Sequence, residues 1–241
     1  MALTRKKSIS FPSDVVPVTL GRDLEGIVIH KEMLYQSPVL ATQYDELIRL
    51  FPDASDRPPL ALGSEISKST ADQLVNWLYF NNLVYTPADL VKTTGEECLK
   101  TCSEIVEAYI CAIRLDLEEW ANALLDAFCR AAVEDMPWIK YWLKLKEVQG
   151  CDEEAGGLRE LVVAFLARGI KESGWDVYTK EVNTELVDTI KADGEFAMEV
   201  CKWVLDKEDV ASSLRQKKNR CRWHVHQFTK KCRRKASDEE D

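Results

Sequence analysis

The chain has 241 residues, of which 46% are hydrophobic and 30% are charged. That length suits one large domain or two small ones, and that hydrophobic content is enough to build a buried core. The longest apolar runs, such as 161–167, are far shorter than the ~20 residues of a membrane span, and residues 8–14 lack the apolar character of a secretory signal. We therefore expect a soluble protein of the nucleus or cytoplasm, without membrane contact.

The net charge of −9 hides a strong separation of charge along the chain. Residues 211–236 hold ten lysines and arginines and no acidic residue. The other 22 of the 32 basic residues and all 41 acidic residues lie in the rest of the chain, which ends on the acidic residues 238–241. An acidic body therefore carries a basic tail.

The first predicted element is a β-hairpin. Residues 14–21 form an opening strand, in which Pro17 confines its part of the strand to an edge because proline has no N–H to donate. Residues 27–29 are a β-branched run that fits a pleated sheet and pairs back on the first strand.

Two helices are predicted next. From Lys31 onward the composition changes to helix formers, so the second strand gives way to a helix at His30. Ser37 followed by Pro38 is typical of an N-cap and a first-turn proline, and it predicts a second helix that runs to about residue 51.

Two longer helical segments follow. Residues 67–81 predict a helix with one apolar face, ended by Asn81 and Asn82. Residues 105–128 keep helical spacing of their apolar side chains without interruption, and this periodicity alone predicts one long helix.

Three short sequence blocks in this part of the chain follow one another. The first is His-x3-Leu-x2-Ser-Pro behind a strand, the second is residues 73–79, and the third is residues 104–128. Together these blocks resemble the signature of BTB/POZ domains, in particular the fungal branch of that family. The motif positions are His30, Leu34, Ser37, Pro38, Trp77, Leu78 and Tyr79.

The resemblance implies an α+β fold, in which a small β-sheet packs with a helical cluster over residues 14–133. It also implies a third strand near residues 59–62 and a break in the long helical segment near residues 115–117. Residues 1–13 are expected to be flexible, residues 134–209 to form a helical extension, and residues 210–241 to form the tail.

The resemblance also implies a protein-interaction module that forms a homodimer through its first helix and its N-terminal segment. Met33 and Tyr35 are then candidate dimer contacts, although core packing explains either of them equally well. Some BTB proteins are adaptors of cullin-3 ubiquitin ligases, which makes cullin-3 a candidate partner. The chain has no kelch, MATH or ankyrin region and no clear hydrophobic-x-Glu cullin motif, so the extension and tail are the candidate recognition surfaces.

The helical extension is predicted from four apolar stripes at helical spacing. These stripes require partners, which we expect to be one another and the last helix of the preceding domain. Their residues are Trp138, Tyr141, Trp142, Leu145 and Val148; Leu158, Leu161, Val162, Phe165 and Leu166; Val182, Leu186, Val187 and Ile190; and Phe196, Val200, Trp203 and Val204.

Motifs of catalysis are absent from the sequence. It contains no glycine-rich phosphate loop, no Gly-x-Ser-x-Gly and no His-Glu-x2-His, and only three histidines. We therefore expect no enzyme, no cofactor, and a structural hydrogen bond for His30. The eight cysteines are expected to be reduced, with core packing for Cys102, Cys111, Cys129 and Cys201.

The tail contains a candidate zinc site. Cys221, His224, His226 and Cys232 fall within twelve residues, and thiolate with imidazole is the ligand set that tetrahedral zinc prefers. An extended segment at residues 223–227 would place both histidines on one side. The spacing matches no standard zinc finger, so a metal-free basic tail is the other interpretation.

The basic residues of the tail admit three interpretations. They resemble a bipartite nuclear-localisation signal; they could contact nucleic-acid phosphates while Trp223 and Phe228 stack on bases; or the tail could fold back on the acidic body. Ser237, directly before the acidic residues 238–241, resembles a site for an acidophilic kinase, and phosphate there would add about −2 charge beside the cations. A nuclear regulator with a tail that binds nucleic acid or zinc is the alternative function.

Overall fold

A computed structural model of the chain describes residues 14–20, 25–63, 66–84, 96–131, 156–177, 184–205 and 223–224. Within these ranges the fold is mixed α+β, with a small sheet and mostly helices. The strands are β1 (Val15–Leu20), β2 (Glu25–His30) and β3 (Leu60–Ala61). The helices are α1 (Lys31–Leu34), α2 (Pro38–Leu50), α3 (Lys68–Phe80), α4 (Glu96–Arg114), α5 (Glu118–Ala131), α6 (Gly156–Ser173), α7 (Trp175–Val177), α8 (Thr184–Ala192) and α9 (Gly194–Leu205).

The sheet has the order β2, β1, β3. β1 pairs antiparallel with β2 as the predicted hairpin and parallel with β3, which lies where a third strand was expected. β1 is therefore the central strand, yet β3 pairs only with Val18 and Thr19. Pro17 faces Val28 of β2, but it lies beyond the end of β3. Because only one strand pairs with β1 at this position, a residue without an N–H is tolerated there.

Side-chain caps set the ends of α2 and α3. The Ser37 hydroxyl accepts a hydrogen bond from the N–H of Leu40 at 3.1 Å, and Pro38 occupies the first turn, as the sequence predicts. Ser67 caps α3 in the same way, and α3 ends at Asn81, whose φ of 50° is left-handed.

The long apolar repeat of residues 105–128 is divided between two helices. α4 ends at Arg114, Asp116 takes a φ of 52°, and α5 starts at Glu118. The N–H of Leu117 donates to the carbonyl of Ala112 at 2.8 Å, so the turn stays compact. The break that the family resemblance implies is confirmed, and the single helix predicted from periodicity is wrong.

The helical extension shares its core with the sheet-containing part. Buried side chains from α4 and α5 and from α6, α8 and α9 belong to one continuous cluster. Tyr109 of α4 is fully buried with its hydroxyl beside the backbone N–H of Leu158 in α6, and this burial raises its pKa. The two parts are therefore joined by packing as well as by the chain.

The predicted stripes at residues 158–166, 186–190 and 196–204 lie on α6, α8 and α9, whereas the stripe at residues 138–148 lies outside the described residues. Of the cysteines expected to pack in the core, Cys111 is buried and Cys129 is half-buried. The prediction for Cys201 is wrong: it is exposed on α9, because Phe196 and Val200 turn the opposite side of that helix inward.

Replacing Ser37 by alanine should destabilise the fold. The hydroxyl is fully buried, caps α2 and donates to the carbonyl of Leu115 at 2.5 Å, so its removal loses a cap and leaves a buried acceptor without this donor. We expect the free energy of unfolding in urea to fall by about 2 kcal/mol.

Thr42→Ala is the matched control. Thr42 is exposed on the same helix, and its hydroxyl donates only to the carbonyl of Pro38, one turn earlier. We expect a change within about 0.5 kcal/mol. Equal losses of stability in the two variants would contradict the role assigned to Ser37.

Candidate interaction surface

His30 is held by a tyrosine 49 residues further along the chain. The Tyr79 hydroxyl accepts a hydrogen bond from the backbone N–H of His30 at 2.8 Å and lies 2.6 Å from Nδ1 of its ring. The two rings meet edge to face, with centroids 5.6 Å apart. This pair fixes the junction between β2 and α1 against the end of α3.

The other motif residues, together with Gln36, attach α1 and the start of α2 to the rest of the fold. Leu34, Trp77 and Leu78 are buried, and Ser37 bonds to the turn between α4 and α5. The side-chain amide of Gln36 donates to the carbonyl of Leu78 at 3.2 Å. The motif residues thus pack on the buried side of the hairpin and α1. The surface available to a partner is the solvent-exposed side of these two elements.

The outer face of the hairpin is apolar. Pro17 and Val28 face each other across β1 and β2, so their side chains lie on one face of the sheet, and Val15 follows on the same face two residues away. Val15 is 50% exposed, Val28 is 61% exposed, and Pro17 is also exposed. We call these three residues the hairpin patch.

The two predicted dimer contacts, Met33 in α1 and Tyr35 directly after it, differ in exposure. Tyr35 is 43% exposed and donates a hydrogen bond from its hydroxyl to the Asp45 carboxylate. Met33 is half-buried, packs against the core and has its sulfur 3.1 Å from the amide nitrogen of Gln36. Of the two, Tyr35 offers the larger surface to a partner.

Two cations lie over the tyrosines beside α1. The Lys31 ammonium is 5.7 Å from the ring centre of Tyr35 and 5.8 Å from that of Tyr44. The Arg57 guanidinium is 5.9 Å from the ring centre of Tyr44. These cation–π contacts join α1, α2 and the segment after α2 through the rings of Tyr35 and Tyr44.

The tail enters the described part of the structure at Trp223 and His224. Trp223 lies in a turn and His224 in a bend, so these two residues are not extended, whereas residues 225–227 of the predicted extended segment lie outside the described residues. Nε2 of His224 lies 3.2 Å from a carboxylate oxygen of Asp126. Cys221, His226, Cys232 and Ser237 lie outside the described residues, and within the described ranges no group of three or more His, Cys, Asp or Glu residues is placed to hold a metal.

Sequence reasoning missed most of the exposed apolar surface. The exposure of Val15 and Val28 could have been predicted. A half-buried strand alternates apolar and polar residues, whereas each of these valines has an apolar neighbour in the sequence, so one of each pair must face outward. The contact between His224 and Asp126 joins residues 98 apart, and no local pattern indicates it.

Comparisons of the chain with protein-family models, with curated proteins and with solved structures found no match. Among the described helices, none combines the length and the apolar character needed to cross a membrane. The hairpin patch is an exposed apolar feature of the described residues from which a function can be proposed.

The ionisation of Tyr35 should report its contact with Asp45. The hydrogen bond to the carboxylate, then partial burial and the negative charge of Asp45, raise the pKa of Tyr35 from 10.0 to about 12. In Asp45→Asn we expect this pKa to return toward 10, measured by NMR titration of ring-labelled tyrosine.

The pH dependence of this contact has a defined sign. Because the pKa of Tyr35 is raised in the folded chain, the contact stabilises the fold fully below pH 10 and loses its effect as the pH rises toward 12. Tyr35→Phe assigns the resonance. An unchanged tyrosine titration in Asp45→Asn would contradict the contact.

Proposed function

We propose that the chain is a non-enzymatic protein-interaction module that forms a homodimer through the hairpin patch and α1. The observation that carries this proposal is the exposure of Val15 and Val28 together on one face of the hairpin. Tyr35, which caps the C-terminal end of α1, is a further exposed side chain of this part of the fold. Exposed apolar side chains that lie together favour association, because contact with a second surface removes them from water.

The geometry of the hairpin favours a second copy of the chain as the partner. In a two-fold dimer the same patch meets itself, so one compact apolar face is sufficient for both subunits. β2 is also one of the two outer strands of the described sheet, and an outer strand can pair with another strand. A stable interface buries about 800 Å² on each partner, so α1 and neighbouring surface would have to contribute beside the patch.

The rigid support beneath the patch is consistent with this function. Tyr79 and Ser37 fix α1 through bonds to the strand junction and to the turn between α4 and α5. A preformed surface loses little conformational entropy when it binds. The hairpin, the paired helices and the parallel third strand are also compatible with the BTB/POZ fold that the sequence resembles.

Partner recruitment is the second half of the proposal. The cullin-3 amino-terminal region is the first partner to titrate, since the family resemblance suggests it. Saturable binding in calorimetry would make the protein a ligase adaptor, with substrates recognised by the helical extension or the tail. Absence of binding by the folded dimer would remove the adaptor role and leave the dimerisation proposal unaffected.

Val28→Lys should convert the dimer to a monomer. A two-fold interface would then bring two lysines into an apolar contact, where each loses hydration and repels the other. We expect the dissociation constant to rise about 100-fold, measured by light scattering against the monomer mass of 27.5 kDa.

Met198→Lys is the matched control, because Met198 is 71% exposed on α9, outside the hairpin patch. It should leave the dimer intact. A wild-type chain that stays monomeric at micromolar concentration, or equal effects of the two variants, would refute dimerisation through this face.

A further inference from the structure

The end of α2 carries exposed apolar side chains. Leu50, the last residue of the helix, is 57% exposed, and Phe51, which caps it, is 38% exposed. Pro52 follows and is exposed as well. Neither Leu50 nor Phe51 belongs to the core cluster or to the half-buried side chains that pack against it. Apolar side chains that lie together at a surface are typical of binding sites.

Arg57 is held beside this apolar segment. Its Nε donates to the carbonyl of Phe51 at 3.2 Å, and its Nη2 donates to the carbonyl of Pro52 at 3.3 Å. Nη1 donates to the hydroxyl of Tyr44 at 3.5 Å, and the guanidinium lies 5.9 Å from the centre of that buried ring. The cation is therefore fixed next to the backbone of Phe51 and Pro52 before any partner arrives.

Arg57 keeps unused capacity for an anion. A guanidinium has five N–H donors, and three of them make the hydrogen bonds just described. Two donors remain, one on each terminal nitrogen, which is the number that a bidentate carboxylate needs. Among the described residues, Arg57 forms no ion pair with a carboxylate. Its side chain is half-buried, so it has lost part of its hydration without gaining an anion.

The neighbouring carboxylates are bonded to other groups. Asp53 accepts hydrogen bonds from the N–H and the hydroxyl of Ser55, both at 2.9 Å. Asp56 lies 3.4 Å from the same hydroxyl. Glu46 pairs with Arg49 at 3.6 Å. The anion that completes the guanidinium would therefore come from another molecule.

The surroundings favour a protein carboxylate over a polyanion. A nucleic acid would bring many phosphates close to Asp53 and Asp56, which repel negative charge. A single carboxylate can bind the guanidinium at short range through two parallel hydrogen bonds. An apolar side chain beside that carboxylate would cover Leu50 and Phe51 and remove them from water.

We infer that Leu50, Phe51, Pro52 and Arg57, which we call the α2 docking surface, bind a segment of a partner protein in which an acidic side chain lies next to an apolar one. Arg57 binds the carboxylate, and Leu50 and Phe51 contact the apolar side chain. The inference rests on the proposed role as an interaction module, for which it names the chemistry of a partner, and it does not require the proposed dimer.

Peptide selection on the full chain tests the α2 docking surface. A phage library of random peptides of about twelve residues is panned against the immobilised chain, and the selected peptides are labelled for fluorescence anisotropy. We expect them to contain Asp or Glu next to a large apolar residue. Changing that acid to its amide should weaken binding about tenfold, because the charge-assisted hydrogen bonds are lost.

Arg57→Gln tests the cationic half of the surface. It removes the charge and the bidentate donors, so the dissociation constant of the selected peptides should rise about tenfold. Arg49→Gln is the matched control, since Arg49 lies on α2, is 72% exposed and already pairs with Glu46. It should leave the affinity unchanged.

Phe51→Ser tests the apolar half and keeps the backbone carbonyl that fixes Arg57. We expect the dissociation constant to rise about fivefold, because an aromatic contact is lost. Phe80→Ser is its control: Phe80 is 71% exposed at the end of α3, and its loss should not affect binding. Thermal unfolding checks that each variant is folded, and Phe51→Ser decides the question if Arg57→Gln is not.

Two results would overturn the inference. One is a selection that yields no peptides with an acidic and an apolar residue side by side. The other is equal binding of the selected peptides to each variant and its control. Light scattering on the same samples keeps the two proposals apart: an intact dimer that fails these tests refutes the α2 docking surface alone, whereas a monomer that passes them refutes dimerisation alone.

Discussion

The buried hydroxyl of Ser37 joins two parts of the chain that are 78 residues apart. It accepts the N–H of Leu40 to begin α2 and donates to the carbonyl of Leu115, where α4 turns into α5. Each of these backbone groups would otherwise need a different partner within a closed core. The start of α2 and the turn between α4 and α5 are therefore joined by one side chain that satisfies two backbone groups.

Local chemistry in the sequence was sufficient to predict most elements. The Ser37-Pro38 pair, the stop at Asn81 and the β-branched run before His30 each act on the backbone within a few residues, so their effect can be inferred without tertiary information. The turn at Asp116 could not be inferred from periodicity, because Leu117 re-enters the same apolar face and the repeat passes through the break unchanged. Only the family resemblance indicated it.

The candidate sites were less accessible to sequence reasoning. Cys201 lies away from the apolar stripe of Phe196, Val200 and Trp203, so the helical spacing of α9 indicates its exposure, which an argument from composition alone overlooks. His224 was considered as a metal ligand because of its neighbours in sequence, whereas its contact is Asp126 on a distant helix. The close approach of the Trp223 backbone to Gly157 has no sequence signal either, since the two residues are 66 positions apart.

Pro17 also affects how readily the sheet can aggregate. A central strand that is only partly covered by a two-residue neighbour leaves part of its length open, and open backbone invites uncontrolled strand addition and fibre growth. A proline at that place offers no donor to an incoming strand. The uncovered part of β1 therefore offers an incoming strand one donor fewer, which disfavours strand addition beside the short β3.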